Sequence, residues 1–401
     1  MTTVAVRPRV LALPAREKRS KNPALRFRAM ARVGLKMMVH DKLKMLGTLM
    51  GVFFAVLLSN QQAGTFLGLL NKNTMFINNA GADVWITPPN TEAFQVAKTI
   101  PEVLSKQAQG VRGVAWAKPM LFGGASISLP GGGAEAVQIV GTKLPELKGG
   151  PWNMIAGDPS VLRQPDTMIF EDGVRDTLGG LNLGSVRELA GRKIQVGGFT
   201  WGLLPFGPGY AFADYDLARL LLHVDADRTS FILVGVEPGV SPEQVRDDLQ
   251  RAFPEIKVMT KQQYATSVVK YLLVRTPIGI TFGTSTLFGL IIGFVIVALT
   301  TFSSVVDNIR EFGTLKAIGA TTWDLGKLLL AQSVAYALLG SLLGLAAVTQ
   351  VANAVHSPKF GILLSPTLAI GTTVTMVFLC IAASSFALLR LRKLEPAMVF
   401  R

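Results

Sequence analysis

The sequence predicts an α-helical membrane protein with four transmembrane helices plus an extracytoplasmic α+β domain inserted between helices 1 and 2. Three observations predict it. Only 16% of the 401 residues are charged, against about a quarter in soluble domains. Four apolar blocks come near or exceed the roughly 20 residues that cross a bilayer. The net charge of +14 is also unevenly placed. Residues 1–44 hold 12 Lys and Arg against Glu17 and Asp41, whereas residues 71–275 hold 20 of each sign. Basic excess beside apolar blocks is the pattern of the positive-inside rule, not of a nucleic-acid face.

From the N-terminus, residues 1–23 are basic and without hydrophobic period, and are expected to be disordered. Residues 24–42 form an amphipathic cytoplasmic helix in the headgroup plane, with Arg28, Arg32 and Lys36 on one stripe and Leu25, Ala29, Met30, Val33 and Met37 on the other. A helix packed on protein is the alternative. The apolar run starts too late for a signal peptide. Residues 43–70 are transmembrane helix 1 and a stalk, because Ser59-Asn-Gln-Gln62 ends the lipid-like stretch while the helical pattern continues.

Residues 71–275 are the outer domain. Strands are predicted at 82–86, 125–129, 136–140, 230–236 and 257–259, with Pro130-Gly-Gly-Gly133 as a hairpin loop. Ser241-Pro242-Glu243-Gln244 opens a helix, with Ser241 as N-cap and Gln244 closing a capping box, giving a β-α-β unit. Residues 264–275 are a second stalk helix. Transmembrane helix 2 is 276–304, helix 3 is 328–350, a short outer loop is 351–366, helix 4 is 367–389, and 390–401 is a basic cytoplasmic tail. Both termini are then cytoplasmic and the large domain is outside.

Chemistry is sparse. His40, His223 and His356 are isolated, and Cys380 stands alone inside the last span. Gly319…Gly326-Lys327-Leu328 has the wrong spacing for a phosphate loop and no hydroxyl residue after the lysine. No catalytic, cofactor-binding or metal-binding residue is predicted. Three spans carry glycines four apart: Gly47 and Gly51, Gly289 and Gly293, Gly340 and Gly344. This spacing lets helix backbones approach, within one chain or between two.

The cytoplasmic loop 305–327 is the informative segment. Asn308, Glu311, Leu315 and Ile318 recur at helical spacing, Gly319 can end that helix, and Thr321 or Thr322 can cap a short second one. Phe312, Leu315, Ile318 and Trp323 give this helix-turn-helix more apolar surface than a connector needs, which points to docking; a loop lying at the membrane interface is the alternative.

Arg310-Glu-Phe-Gly-Thr-Leu-Lys-Ala-Ile-Gly-Ala320 resembles the signature of the MacB/FtsX superfamily of ABC permeases. Thr276-Pro-Ile-Gly279, Phe53-Phe-Ala-Val-Leu-Leu58, Gly81-Ala-Asp-Val-Trp-Ile86 and Lys393-Leu-Glu-Pro-Ala397 are most similar to its DevC-type members. The resemblance implies a MacB-like periplasmic core domain and a non-catalytic inner-membrane subunit that works as a homodimer. It implies a separate ABC ATPase subunit, which holds ATP and Mg, docked on Arg310, Glu311, Phe312, Gly313, Leu315, Lys316, Ile318, Gly319 and Trp323. The 44 residues before the first span are too few for a nucleotide-binding domain. Such permeases use mechanotransmission for efflux, with a membrane-fusion adaptor protein and a TolC-like outer-membrane channel. The implied substrate is a lipid, glycolipid or other hydrophobic molecule. A lipoprotein-releasing permease similar to LolC and LolE, or an FtsX-like regulator of periplasmic hydrolases, shares this topology.

Overall fold

The structure is a computed structural model that describes residues 23–94, 98–202, 207–355 and 361–392. The expected disordered stretch 1–22, His356, Lys359 and the tail from 393 onward, with the Lys393–Ala397 ending, lie outside the described residues.

In chain order the helices are α1 (Pro23–His40), α2 (Lys42–Asn79), α3 (Val103–Gln109), α4 (Tyr215–Leu222), α5 (Pro242–Ala252), α6 (Lys261–Val274), α7 (Pro277–Asp307), α8 (Ile309–Ala317), α9 (Thr322–Val355) and α10 (Pro366–Arg392). The strands are β1 (Val84–Thr87), β2 (Ile100–Pro101), β3 (Val114–Ser128), β4 (Ala134–Thr142), β5 (Met154–Ala156), β6 (Thr167–Glu171), β7 (Val186–Leu189), β8 (Arg192–Thr200), β9 (Tyr210–Asp214), β10 (Arg228–Thr229), β11 (Phe231–Val236) and β12 (Lys257–Thr260). Among the described residues, α2, α7, α9 and α10 are long and apolar enough to cross a membrane.

The chain divides into two compact units. One comprises residues up to Val56, Leu290–Gly344 and Gly371 onward. In it α1 lies on α9: a Cβ on Gly34 would meet the Leu328 carbonyl oxygen at 2.9 Å, and Gln332 Nε2 donates to the Gly34 carbonyl at 2.8 Å. On α1, Gly34 and Met38 are buried and Met30 and Met37 half-buried on one stripe, while Val33 is exposed. The alternative of packing on protein is thus met along this stripe, while Phe27, Leu35 and Val39 of the same helix stay exposed.

The other unit comprises Leu57–Gly289 and Leu345–Ile370. Its ten-stranded sheet runs β12-β1-β11-β3-β4-β9-β6-β8-β5, with β7 paired to β3 and β8. The pairs β4–β9 and β6–β8 are parallel, and the other pairs are antiparallel. The expected hairpin is present, with Ser128 opposite Ala134. The expected β-α-β unit is split: β1 sits between β11 and β12, antiparallel to both. Ser241 caps α5 as expected, but its reciprocal partner is Glu243 rather than Gln244, with the two side chains 2.6 Å apart.

Helix α2 runs to Asn79, nine residues beyond the expected end of the stalk at 70. Its polar residues bond back within the helix and so do not break it: Asn73 to the Leu69 carbonyl, Thr74 to Leu70 and Asn79 to Met75. The extra turns carry Phe76 and Ile77, both fully buried, into the core of the domain. Phe76 has the rings of Trp85, Phe94, Phe122, Trp152 and Tyr210 around it. The second stalk helix, α6, puts Tyr264, Val268 and Leu272 into the same cluster. Both stalk helices thus end in one aromatic core. Another buried group ties in Lys72 of α2: its ammonium donates to the Gly202 carbonyl at 3.5 Å. The Gly202 amide in turn donates to the fully buried Glu171 carboxylate at 2.8 Å.

Candidate coupling surface

The loop expected at 305–327 is mostly helical. Helix α7 continues to Asp307, and Asn308 interrupts it, its amide bonding back to the Ser304 carbonyl at 3.0 Å. Helix α8 follows, with Glu311 in its first turn and Lys316 in its last, each matching the helix dipole. Ile318 closes α8, and Gly319 turns the chain at φ +103°, a conformation that favours glycine.

The next helix is not short. It is α9 itself, which starts six residues before the expected boundary at 328. The start is fixed by a reciprocal cap. Thr321 Oγ1 accepts the Asp324 amide at 3.2 Å, and Asp324 Oδ2 accepts the Thr321 amide at 3.1 Å and its hydroxyl at 2.7 Å. Asp324 is buried, and Lys327 reaches its other oxygen at 3.3 Å. An acidic residue at the third helical position satisfies otherwise unpaired amides and adds favourable charge at the helix N-terminus.

The elbow has its own core. Phe312, 2% exposed, packs with Val305, Leu325, Leu328 and Leu329, and Met30, Met37, Leu315 and Ala320 close the edges. Gly313 is also buried, beside Phe312. Ile318 is 85% exposed and Trp323 79% exposed. Arg310 and Glu311 are exposed as well, while Leu315, Lys316 and Gly319 are half-buried. The residues expected to dock as one set therefore divide. Phe312 and Leu315 build the elbow, and Ile318 and Trp323 stand out from either side of its turn. Beside Trp323 a cleft of about 250 Å³ runs along α9 and α10, lined by Gly326, Lys327, Leu330, Ile381 and Ser385 among others. This cleft carries no signal in the linear sequence, because α10 joins it from 50 residues away.

The base of the elbow is pinned by charge. Lys44 lies 2.8 Å from both Asp41, in the break between α1 and α2, and Asp307 at the end of α7.

Five of the six packing glycines make contacts within the chain. A Cβ on Gly51 would overlap Ile296, and one on Gly293 would overlap Ala55. On Gly340 it would meet Val52 at 2.5 Å, on Gly344 Val56 at 2.9 Å, and on Gly289 the Ser59 hydroxyl at 3.0 Å. Gly47 faces open space. A seventh and eighth glycine, Gly64 and Gly68, were missed despite the same spacing. They let the 361–364 segment lie on α2, with the Leu363 amide donating to the Gly64 carbonyl at 2.9 Å.

A family model described as the MacB-like periplasmic core domain matches residues 43–252, and one described as the FtsX-like permease C-terminal matches residues 283–396. The chain belongs to the MacB/FtsX superfamily of ABC permeases. The permease is also similar to two solved structures. One is the extracellular domain of the noncanonic ABC-type transporter YknZ from Gram-positive bacteria, at 12% identity and a TM-score of 0.33, covering 44% of this chain and 98% of that one. The other is the periplasmic region of MacB from Actinobacillus actinomycetemcomitans, at 10% identity and a TM-score of 0.36, covering 49% and 98%. No curated protein matches the permease.

Proposed function

We propose that this permease is the inner-membrane subunit of an exporter driven by a separate ABC ATPase, and that the elbow at 305–327 receives the ATPase's motion. The observation that carries the reading is the exposure of Ile318 and Trp323 on an elbow with its own packed core. Large apolar side chains held out by a filled core cost solvation unless a partner covers them, and aromatic anchors dominate such contacts. In this reading both termini are cytoplasmic, two copies of the chain act together, and ATP and Mg bind only the partner ATPase.

Mechanotransmission is supported by the stalks. Because α2 and α6 share one aromatic core, displacement of either helix drags the outer domain with it. The DevC-like segments support an adaptor protein, a TolC-like channel and a lipid or glycolipid substrate.

The test is co-expression with the candidate ATPase. Trp323→Asp with Ile318→Asp is expected to abolish the complex and its ATP turnover while leaving the permease folded. Retention of both would remove the docking role. Cysteine labelling should place Ile318 and the outer domain on opposite membrane faces, and labelling from one face would overturn the topology.

A further inference from the structure

The outer unit holds a second surface that the coupling reading does not use. It is a groove of about 350 Å³ lined by Glu92, Lys257, Ser267, Lys270, Tyr271, Val274 and Arg275. Four of these residues come from α6 at positions i, i+3, i+4 and i+7, so they form one stripe. The neighbouring stripe, Tyr264, Val268 and Leu272, is buried in the aromatic core and fixes the helix in place. Three cations therefore stand around a preformed cavity.

Their local partners leave charge to spare. Lys257 gives one hydrogen to the Thr91 carbonyl at 2.8 Å, and an ammonium carries three. Arg275 lies 3.7 Å from Glu92, both well exposed, which is a weak pair. The single carboxylate leaves the groove with a net charge of +2.

Its place in the chain says what kind of anion fits. Pro277 begins the next helix long and apolar enough to cross a membrane, two residues after Arg275, so with that helix as a span the Val274–Arg275 end of the groove adjoins the headgroups. Basic residues are not favoured beside a span on the outer face, and a cluster of three there calls for an anionic partner. Val274, 67% exposed, gives the rim an apolar edge, and Tyr271 is of the type that settles at a membrane interface. A soluble anion has no use for that edge.

We propose that this groove binds the phosphate-bearing headgroup of an anionic amphiphile seated in the adjacent leaflet. Lys257, Lys270 and Arg275 contact the phosphate, Ser267 and Tyr271 supply hydroxyl donors, and Val274 lies against the start of the acyl chains. The site requires only that Pro277 begin a span. It does not depend on the export reading, and either can fail without the other.

The test is native mass spectrometry of the full chain in detergent, titrated with dioleoyl phosphatidylglycerol and, separately, with glycerol phosphate. At roughly fivefold per cation, Lys257→Gln, Lys270→Gln and Arg275→Gln together weaken lipid binding on the order of 100-fold. Lys106→Gln, Arg163→Gln and Lys193→Gln, which remove three exposed cations elsewhere on the same domain, leave it unchanged. The charge-preserving set Lys257→Arg, Lys270→Arg and Arg275→Lys retains binding, which separates loss of charge from loss of fold. A loss in the groove variant no greater than in the control set overturns the site. Displacement of the lipid by equimolar glycerol phosphate overturns the assignment to a membrane amphiphile.

Discussion

The division of the elbow into a buried half and an exposed half makes a sharp prediction. Consider Phe312→Ala and Trp323→Ala side by side. Phe312 is 2% exposed inside a five-residue core, and truncating a phenylalanine in such a site costs about 3–5 kcal/mol. Trp323 is 79% exposed in the free chain, and surface changes of that kind shift stability by about 0.5 kcal/mol or less. If Trp323 anchors the ATPase, its truncation removes about 2 kcal/mol of binding, or roughly 30-fold in Kd. The assay is a thermal melt of each purified variant together with a titration against the ATPase subunit. Phe312→Ala should melt earlier and lose coupling as a consequence. Trp323→Ala should melt with the parent and lose affinity alone. A Trp323→Ala variant that binds within twofold of the parent, or that melts as early as Phe312→Ala, would refute the division of labour.

Three further outcomes are expected. Gly293→Ala forces a Cβ onto Ala55 and should destabilise the protein by about 1–3 kcal/mol. Gly47→Ala meets nothing within 4 Å and should be neutral or stabilising by up to about 1 kcal/mol; thermal melts in one detergent compare the two directly. Glu171→Ala strips the acceptor from the Thr200 hydroxyl and the Gly202 amide, charge-assisted bonds of roughly 1.5–3 kcal/mol each, so the outer domain should lose at least about 3 kcal/mol by the same measurement. Burial pushes the Tyr215 phenol from 10.0 up to about 12, with the Glu102 carboxylate it donates to adding to the shift. The stability contributed by the neutral phenol is complete below about pH 10 and is lost as pH rises through 12. A difference titration at tyrosinate wavelengths between the parent and Tyr215→Phe should show that upper midpoint, and a midpoint near 10 would contradict its burial.

The spans were legible because a bilayer imposes a length and a composition that almost nothing else does. Local turns were legible for a similar reason: Pro130-Gly-Gly-Gly133 and Ser241-Pro242 carry their geometry in their own side chains. Long-range pairing was not. The insertion of β1 between β11 and β12, and the parallel pairs β4–β9 and β6–β8, join segments far apart in the chain with no local mark. Helix α2 was expected to end at residue 70, where the apolar block ends and the polar Asn71, Lys72, Asn73 and Thr74 follow. A signal was nonetheless present, since Leu69, Phe76, Ile77 and Ala80 keep a helical period across them. The elbow shows a similar limit. Phe312 and Ile318 lie six residues apart, about 120° around a helix, so they cannot share a face. The spacing alone does not say which of the two faces inward. That was decided by Leu325, Leu328 and Leu329, which belong to the next helix.

Glycine and aromatic residues pack the two units in different ways. Within the membrane unit, Gly51, Gly293, Gly340 and Gly344 bring helix backbones together without filling the space between them. Contacts of that kind hold by close fit and hydrogen bonding rather than by exclusion of water, because lipid is as apolar as the side chains it would replace. At the outer ends of α2 and α6 the chain does the opposite. Phe76 and Tyr264 are fully buried among large rings, where close packing transmits strain instead of absorbing it. The proposed mechanotransmission rests on this second kind of contact, since a closely packed core carries a displaced stalk helix and its domain together.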